Sequence, residues 1–329
     1  MSKPLTLISA LVVALAAVHP PASAFPERPV TLLVPFGPGG STDLIARALG
    51  VEMAKTLGQQ VVVLNKAGAG GAIGAAEVAN AKADGHLIAM LPVGPLTTQP
   101  ALRKLSYTPA SFDPICRVYS NPQVLLVRKD APFKNLQDLV AEAKRQPGKL
   151  NYASTGTGSV PHLALASLTA ASGMDTVHVP YKGEADMLQA LLGGQVTMFL
   201  GHPTLLSVHA QTMRGIAVLA PSRLKEYPDL PTVGEQGAPP QHFEVWGGLV
   251  APKGTPPAVL AALEGACRSG TAAEAFRKQL ETLNTPVQYQ DAKTFGAFVN
   301  FEFERNGRLL REAGIKPEGS PIDRRLTAD

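Results

Sequence analysis

Short apolar segments alternate with amphipathic ones along most of this chain. Residues Val30–Val34 and 87–91 are continuously apolar, which is typical of buried strands. Between them, apolar positions recur every three to four residues from Ser41 until Gly58, and this spacing predicts a helix that ends at a glycine. Strands that alternate with helices favour βαβ units and mainly parallel sheets.

The same alternation continues through the rest of the chain. Further strands are predicted at residues 61–64, 113–118, 124–127, 151–153, 177–179, 196–200, 216–219 and 245–250. Further helices are predicted after the glycine-rich turn at 68–74, at 135–145, after residue 159, between 179 and 196, and near 257–267, 272–283 and 292–313. The pattern therefore predicts an α/β protein.

Two connections look like crossings between domains rather than ordinary loops. They lie near residues 120–124 and 239–245. If both cross, the central segment forms one domain and the two ends of the chain build the other. We therefore predict a two-segment domain 1 at residues 25–123 plus 243–329, and an inserted domain 2 at residues 124–242.

The first 24 residues have the features of a secretory signal peptide. Lys3 gives a positive start, residues 5–18 are an apolar run, and Ala22-Ser23-Ala24 is a small-residue cleavage site. The run is shorter than the roughly 20 apolar residues that a spanning helix needs. We therefore predict export to the periplasm, with a buried N-terminal helix as the alternative.

Composition narrows the classes of function. The chain has 329 residues, of which 45% are hydrophobic and 17% charged, so a large core is possible and intrinsic disorder is excluded. The net charge of +4 is spread without blocks of lysine and arginine, so we expect no nucleic-acid partner.

The number of cysteines and the spacing of the histidines argue against a metal centre. Two cysteines exclude a disulfide scaffold and a cysteine-based zinc site. Cys116 and Cys267 either pair in an oxidising periplasm or remain buried thiols, and both alternatives stay open. The histidines are scattered without the spacing of metal ligands, so we predict neither a metal nor a cofactor.

Two glycine-rich loops, at residues 36–43 and 154–161, each join a predicted strand to a predicted helix. The first N–H groups of a helix lack internal partners, and glycines allow a ligand to approach the backbone, so such a junction can bind an anion. A plain turn with a capping residue is the alternative for either loop alone. Two such loops, one in each predicted domain, can hold the two ends of a small dianion.

Sequence motifs for nucleotide binding and for hydrolysis do not match this chain in detail. The glycines at residues 68–74 have the wrong spacing for a dinucleotide loop, and no glycine-rich segment carries the lysine of a Walker loop. An exported hydrolase that uses Ser159 or Ser41 remains an alternative, but no acid partner for His162 is evident. We interpret His162 as a capping or packing residue, and Lys182 as a surface turn residue rather than a ligand contact.

In order and spacing, these segments resemble the periplasmic receptors of tripartite tricarboxylate transporters, often called Bug receptors. The resemblance extends over nearly the whole chain after residue 24. It includes Pro-Phe-Gly-Pro-Gly-Gly-Ser-Thr-Asp at 35–43, Asn-Tyr-Ala-Ser at 151–154 and His-Val-Pro-Tyr-Lys-Gly at 178–183, with further matches at 26–30, 65–74, 84–85, 147–150, 158–159, 162–163, 192–196, 228–233, 248–249 and 251–252.

The resemblance implies a type II, Venus-flytrap periplasmic binding protein whose two lobes are mainly parallel sheets flanked by helices. It implies a monomeric receptor rather than an enzyme, which binds a small carboxylate and delivers it to membrane transporter subunits. A ligand sensor for a membrane signalling partner is the alternative. The implied ligand-binding residues are Phe36, Gly39, Gly40, Ser41, Thr42 and Asp43 in the first loop, and Ser154, Thr157, Gly158 and Ser159 in the second.

One departure from the family pattern bears on the ligand. The family commonly has an aspartate after Gly-Gly-Gln-Val and a Phe-Asp pair at the next strand end, whereas this chain has Thr197 and then Leu200-Gly201-His202. The missing acid at Gly201 removes a partner for a ligand ammonium group. We therefore hypothesise a dicarboxylate or aromatic carboxylate without an amino group, with His202 as an added donor.

Overall fold

Two β-sheets flanked by helices form the frame of the molecule. The computed structural model describes residues 25–181, 183–312 and 314–315, so the predicted signal peptide and Lys182 lie outside the described residues. The strands are β1 (Val30–Val34), β2 (Val61–Asn65), β3 (Leu87–Pro92), β4 (Phe112–Pro122), β5 (Val124–Arg128), β6 (Leu150–Ser154), β7 (Thr176–Pro180), β8 (Met198–Gly201), β9 (Met213–Val218), β10 (Glu244–Pro252) and β11 (Val287–Gln290).

The helices alternate with these strands, as the sequence pattern predicts. They are α1 (Ser41–Leu57), α2 (Ala72–Ala79), α3 (Gln99–Leu102), α4 (Leu136–Arg145), α5 (Val160–Ala171), α6 (Glu184–Leu192), α7 (Thr204–Val208), α8 (Pro257–Ala272), α9 (Glu274–Thr282) and α10 (Ala292–Glu312). The prediction missed α3, α7 and β11, because each has only four or five residues and shows no clear period.

The first sheet places the loop after β1 at a switch in strand order. Its order is β11-β4-β10-β3-β1-β2, and β1 is parallel to both β2 and β3. Strand β10 returns antiparallel between β3 and β4, so β1 to β4 share one direction. Ligands of open α/β sheets bind outside the carboxyl ends of strands at such switch points.

The second sheet repeats this arrangement. Its order is β7-β6-β8-β5-β9, with β6 parallel to β7 and β8 and β5 antiparallel to β8 and β9. Strand β6 therefore occupies the place that β1 has in the first sheet. Strands β10 and β11 run against the other four strands of the first sheet, and β5 runs against the other four strands of the second, so each sheet is mixed with most strands in one direction.

The predicted crossings lie side by side between the sheets. The Gln123 N–H donates to the Phe243 carbonyl over 3.2 Å, and Glu244 pairs with Pro122 in the first sheet. Strands β1 to β4, β10 and β11 form one sheet, and β5 to β9 form the other. The domain boundaries at 123/124 and 242/243 stay a prediction.

A helical layer and a disulfide stabilise the first sheet. Ile45, Leu49 and Met53 of α1 are fully buried in one cluster with β1 and α8, and such burial contributes about 1.5–3 kcal/mol per side chain. Cys116 of β4 and Cys267 of α8 form a disulfide across 151 residues, which decides between the two alternatives left open above. In the chain-entropy description, closing a loop of that length is worth about 5 kcal/mol.

Candidate functional site

The first loop ends in a helix N-terminus that no side chain caps. Residues 37–41 are exposed, and Gly40, the residue before α1, has an extended backbone without a side-chain acceptor for the helix N–H groups. Gly39 has a φ of +83°, a left-handed conformation that glycine adopts without strain. The first N–H groups of α1 are therefore open to an anion from outside the protein.

A buried carboxylate braces this loop from behind. Asp43 accepts from the Gly39 N–H over 2.9 Å, from Arg47 Nε over 3.0 Å and from Asn65 Nδ2 over 2.9 Å. Asn65, at the end of β2, also donates to the Phe36 carbonyl over 3.0 Å. Burial raises the pKa of Asp43, but the hydrogen bonds from Arg47, Gly39 and Asn65 outweigh it and hold the pKa below its ordinary value. Asp43 therefore shapes the loop with both oxygens engaged.

The other predicted residues of the first loop differ in their exposure. Thr42 is buried, and its hydroxyl lies 3.4 Å from the Tyr119 hydroxyl, whose pKa burial raises to about 12. Ser41 is exposed, and Phe36 is partly exposed. A ligand that approaches α1 in this conformation thus meets the backbone and Ser41 before it meets Thr42.

The second loop is capped and more deeply buried. Ser159 is the residue before α5, and its hydroxyl accepts from the His162 N–H over 3.4 Å. The Ser159 N–H donates to the Gly156 carbonyl over 3.1 Å, and the Gly156 N–H donates to Ser154 Oγ over 3.1 Å. These bonds close the loop on itself, so fewer of its donors are free than in the first loop.

Two stacked imidazoles brace the second loop. His162 and His178 have ring centroids 3.7 Å apart and planes within 6°. His162 Nδ1 accepts from the Gly158 N–H over 3.0 Å, and His178 Nε2 lies 2.6 Å from Ser154 Oγ. Burial, with His178 nearby, lowers the pKa of His162 to about 3, and burial lowers the pKa of His178 to about 4, so both rings are neutral at pH 7.

This arrangement bears on the expectation for one backbone donor. The Gly158 N–H, which the family resemblance suggests for the ligand, is engaged by His162 in this structure. Among the residues that the structure describes, no partner is found for the N–H of Thr157. The sequence had marked His162 as a capping or packing residue, but it did not reveal His178, whose place beside the loop depends on strand pairing.

A segment after β3 connects the two loops. A Cβ atom on Gly158, whose φ is +74°, would lie 2.2 Å from Leu102 Cδ2 of α3. In the same way, a Cβ on Gly71 would lie 3.0 Å from Pro95 and 3.3 Å from the Phe36 ring. Residues 94–102 therefore contact the second loop directly, and the first loop through Gly71.

The end of β8 completes this edge of the second sheet. His202 follows β8, which is parallel to β6, and its Nε2 lies 3.3 Å from the Glu184 carboxylate. A Cβ on Gly201 would lie 2.7 Å from Leu205 Cδ1 and 2.9 Å from Leu126 Cδ1. An aspartate at position 201 would require these leucine side chains to shift.

Two cavities of the structure lie away from both glycine-rich loops. Their volumes are about 470 and 320 Å³, and neither loop lines them. The described part of the chain has no group of three or more His, Cys, Asp and Glu placed to hold a metal ion. No helix within the described ranges is long and apolar enough to cross a bilayer.

Comparison with known proteins places the chain among solute receptors. Residues 45–315 match the family described as tripartite tricarboxylate transporter family receptor. The periplasmic binding protein BugD has a similar structure, with a TM-score of 0.79 and 35% identity over 89% of this chain and 99% of BugD.

Two similar structures contain a bound acid. MatC from Rhodopseudomonas palustris, with bound malate, has a TM-score of 0.78 and 33% identity over 87% of this chain and all of MatC. The R. palustris protein Rpa4515, with adipate, has a TM-score of 0.79 and 30% identity over 89% of this chain and 99% of its own. Both ligands are dicarboxylates without an amino group.

Proposed function

The chain belongs to the tripartite tricarboxylate transporter receptor family and is a periplasmic solute-binding receptor, and on this basis we propose which ligand it takes and which residues hold it. The ligand is a small dicarboxylate, and one carboxylate binds at each glycine-rich loop. The observation that carries this proposal is the repeated topology, because β1 and β6 each lead at a switch point into a loop and a helix N-terminus.

The first carboxylate binds at the start of α1. Its oxygens accept from the uncapped N–H groups and from the exposed Ser41 hydroxyl, and Gly39 and Gly40 allow close approach. Asp43 keeps the loop in shape through the Gly39 N–H. Charge-assisted hydrogen bonds to a carboxylate are stronger than neutral ones, so a few donors suffice without an arginine.

The second carboxylate binds at the loop after β6. Thr157 supplies its N–H and hydroxyl, Ser159 supplies a hydroxyl, and Ser154 and Gly158 hold the loop. His202 contributes from the end of β8, where its pairing with Glu184 orients the ring. The aromatic carboxylate that the sequence allows would place its ring between the loops.

The ligand carries no ammonium group. A buried ammonium needs an acceptor, and the position where the family commonly has an aspartate is glycine here. Leucine side chains pack around Gly201 in place of that acid. Malate and adipate in the two similar structures belong to the same chemical class.

Binding is coupled to closure of the lobes about the paired crossings at residues 120–124 and 239–245. The ligand touches both loops only in the closed form and so shifts the population towards it. The closed, loaded monomer then docks on the membrane subunits of a tripartite transporter. A sensor that signals to a membrane partner would use the same closed form, whereas a hydrolase lacks support because Ser159 contacts the backbone of His162 rather than its ring.

Calorimetric titration tests this proposal. The chain without residues 1–24 is titrated with L-malate, adipate, succinate, benzoate and L-aspartate. We expect tight binding of at least one amine-free carboxylate and weaker binding of L-aspartate. Tight binding of L-aspartate with no binding of the others would contradict the proposal.

A further inference from the structure

His162 is buried and His178 is partly buried, and the ligand contacts proposed above use neither ring. They come from different elements, α5 and β7, and their rings stack 3.7 Å apart. The Tyr152 ring lies beside both, with centroids 5.2 Å from His178 and 6.2 Å from His162. Only 7% of His162 is exposed. Two stacked neutral rings at this depth form a rigid wall behind the second loop.

The hydrogen-bond partners constrain which ring nitrogens carry a proton. Ser154 Oγ accepts from the Gly156 N–H and lies 3.1 Å from the Gly156 carbonyl; when its single proton points to that carbonyl, its remaining lone pair accepts from Nε2–H of His178. His162 Nδ1 accepts from the Gly158 N–H, so the proton of His162 is on Nε2. His178 therefore holds one end of the loop and His162 holds the other, with Thr157 between them.

We infer that His162 and His178 are positioning residues for ligand binding: the stacked pair holds residues 154–158 in the conformation that leaves the Thr157 N–H free for a carboxylate. This inference rests on the proposed function. If a loop with two glycines becomes ordered only on binding, the loss of its conformational entropy lowers the affinity for the ligand. Loss of either imidazole contact should thus weaken binding without removing a ligand contact.

A pair of variants at His162 separates the acceptor from the ring. In His162→Asn, the side-chain oxygen takes the place of Nδ1 and can accept from Gly158, whereas His162→Phe keeps a stacking ring without an acceptor. With L-malate and adipate as probes, we expect His162→Phe to bind at least tenfold more weakly, and His162→Asn to stay within about threefold of wild type. Equal affinities in wild type and His162→Phe, or equal losses in both variants, would overturn the inference.

The matched pair at His178 tests the other end of the loop. His178→Gln can donate to Ser154, whereas His178→Phe cannot. We again expect the donor-containing variant to bind better. Because both imidazoles act on one loop, the double variant with both phenylalanines should lose less affinity than the product of the single losses. A fully multiplicative loss would indicate two independent roles and would contradict the inference.

A spectroscopic readout without ligand keeps this inference separate from the proposed function. If wild type binds no diacid, the proposed function fails, while nitrogen-15 spectra and amide exchange of the free protein still test the brace. We expect Nε2–H tautomers on both rings and a slowly exchanging Gly158 amide in wild type and His162→Asn. Should His162→Phe not fold, these two proteins suffice. An Nδ1–H tautomer on His162, or a Gly158 amide that exchanges fast in wild type, would overturn the inference.

Discussion

The two glycine-rich loops occupy equivalent places in the two sheets, but different side chains hold them in place. A charged carboxylate holds the first loop, and neutral imidazoles hold the second. The first loop is exposed, has no side-chain cap and is braced by the charged Asp43 with Arg47. The second is capped by Ser159, largely buried and braced by neutral imidazoles. The loop before a helix N-terminus can therefore be held in shape by a charged side chain or by neutral ones. The charged side chain must have its hydrogen-bonding capacity filled within the protein.

The difference suggests a division of labour. The first loop has the N–H groups at the start of α1 unpaired in the free protein, so it suits the first contact with the ligand. The second loop has the N–H groups of Gly156, Gly158 and Ser159 engaged and lies against Leu102 of α3, the helix that follows β3 of the first sheet, so it suits the closed form. The following changes test this comparison, from the largest expected effect to the smallest.

Removing the Asp43 carboxylate should have the largest effect on stability and affinity. Asp43→Ala removes the hydrogen bonds that the buried Asp43 carboxylate accepts from the Gly39 N–H and the Asn65 amide, and a hydrogen bond to a charged group contributes about 1.5–3 kcal/mol. We expect a loss of about 3 kcal/mol in the free energy of unfolding and at least a tenfold loss of affinity, measured by urea denaturation and calorimetry.

Arg47→Ala is the matched control for this change. Arg47 is about half exposed, and exposed ion pairs contribute about 0–1 kcal/mol. We expect it to cost less than 1 kcal/mol. If Arg47→Ala costs as much as Asp43→Ala, the ion pair rather than the backbone bond braces the loop.

Adding a methyl group where the second loop contacts α3 should have the next largest effect on stability. Gly158→Ala places a Cβ at a positive φ and 2.2 Å from Leu102 Cδ2. The conformation costs about 1 kcal/mol, and the crowding adds to it. We expect a stability loss of about 2 kcal/mol by thermal unfolding. Leu102→Ala itself removes a buried side chain and costs about 2–5 kcal/mol, so the double variant is compared with Leu102→Ala alone. In that background Gly158→Ala should cost only the conformational part, and an unchanged cost would show that strain alone accounts for the loss.

The strand and helix pattern predicted both loops because each lies between an apolar strand and an amphipathic helix that are close in sequence. The braces could not be predicted in the same way. Asn65 reaches Asp43 from 22 residues away, and His178 meets Ser154 from 24 residues away because β6 and β7 pair with Tyr152 opposite His178. Such contacts depend on register and packing, which no local pattern encodes.

Lowering the pH should affect the two loops differently, because Asp43 supports the first loop and His162 and His178 support the second. The unfolded chain binds a proton on each histidine near pH 6.5, whereas the folded pKa values are about 3 for His162 and about 4 for His178. Their contribution to stability is therefore complete above pH 6.5 and decreases as the pH falls. The folded pKa of Asp43 is lowered, so its contribution persists down to about pH 4 and decreases only below that.

Urea denaturation between pH 7 and pH 4.5 measures this effect. For the buried His162, the slope reaches about 1.4 kcal/mol per pH unit. The difference between wild type and His162→Asn isolates this residue from other titrating groups. We expect the variant to lose less stability than wild type over this range, and parallel curves would show that His162 is not held neutral.

Removing the cap of α5 should have a smaller effect. Ser159→Ala deletes the hydroxyl that accepts from the His162 N–H. Loss of such a cap costs about 1 kcal/mol. We expect that decrease in the free energy of unfolding by urea denaturation. Affinity should fall as well, because the same hydroxyl is proposed to bind the second carboxylate, although His162 still holds Gly158. Ser172→Ala, at the other end of α5, serves as the control.

Giving α1 the cap that α5 already has should produce the smallest change in stability and the most informative change in binding. Gly40 has an extended backbone that any residue can adopt, and a Cβ there meets no atom closer than the Gly37 carbonyl at 3.9 Å. In Gly40→Ser, the hydroxyl can accept from the first turn of α1 and stabilise the free protein by a few tenths of a kcal/mol. The same N–H groups are those proposed for the ligand, so affinity should fall several-fold while stability rises slightly. Gly40→Ala has no acceptor and should change affinity less. If Gly40→Ser binds as tightly as Gly40→Ala, the start of α1 is not where the carboxylate binds.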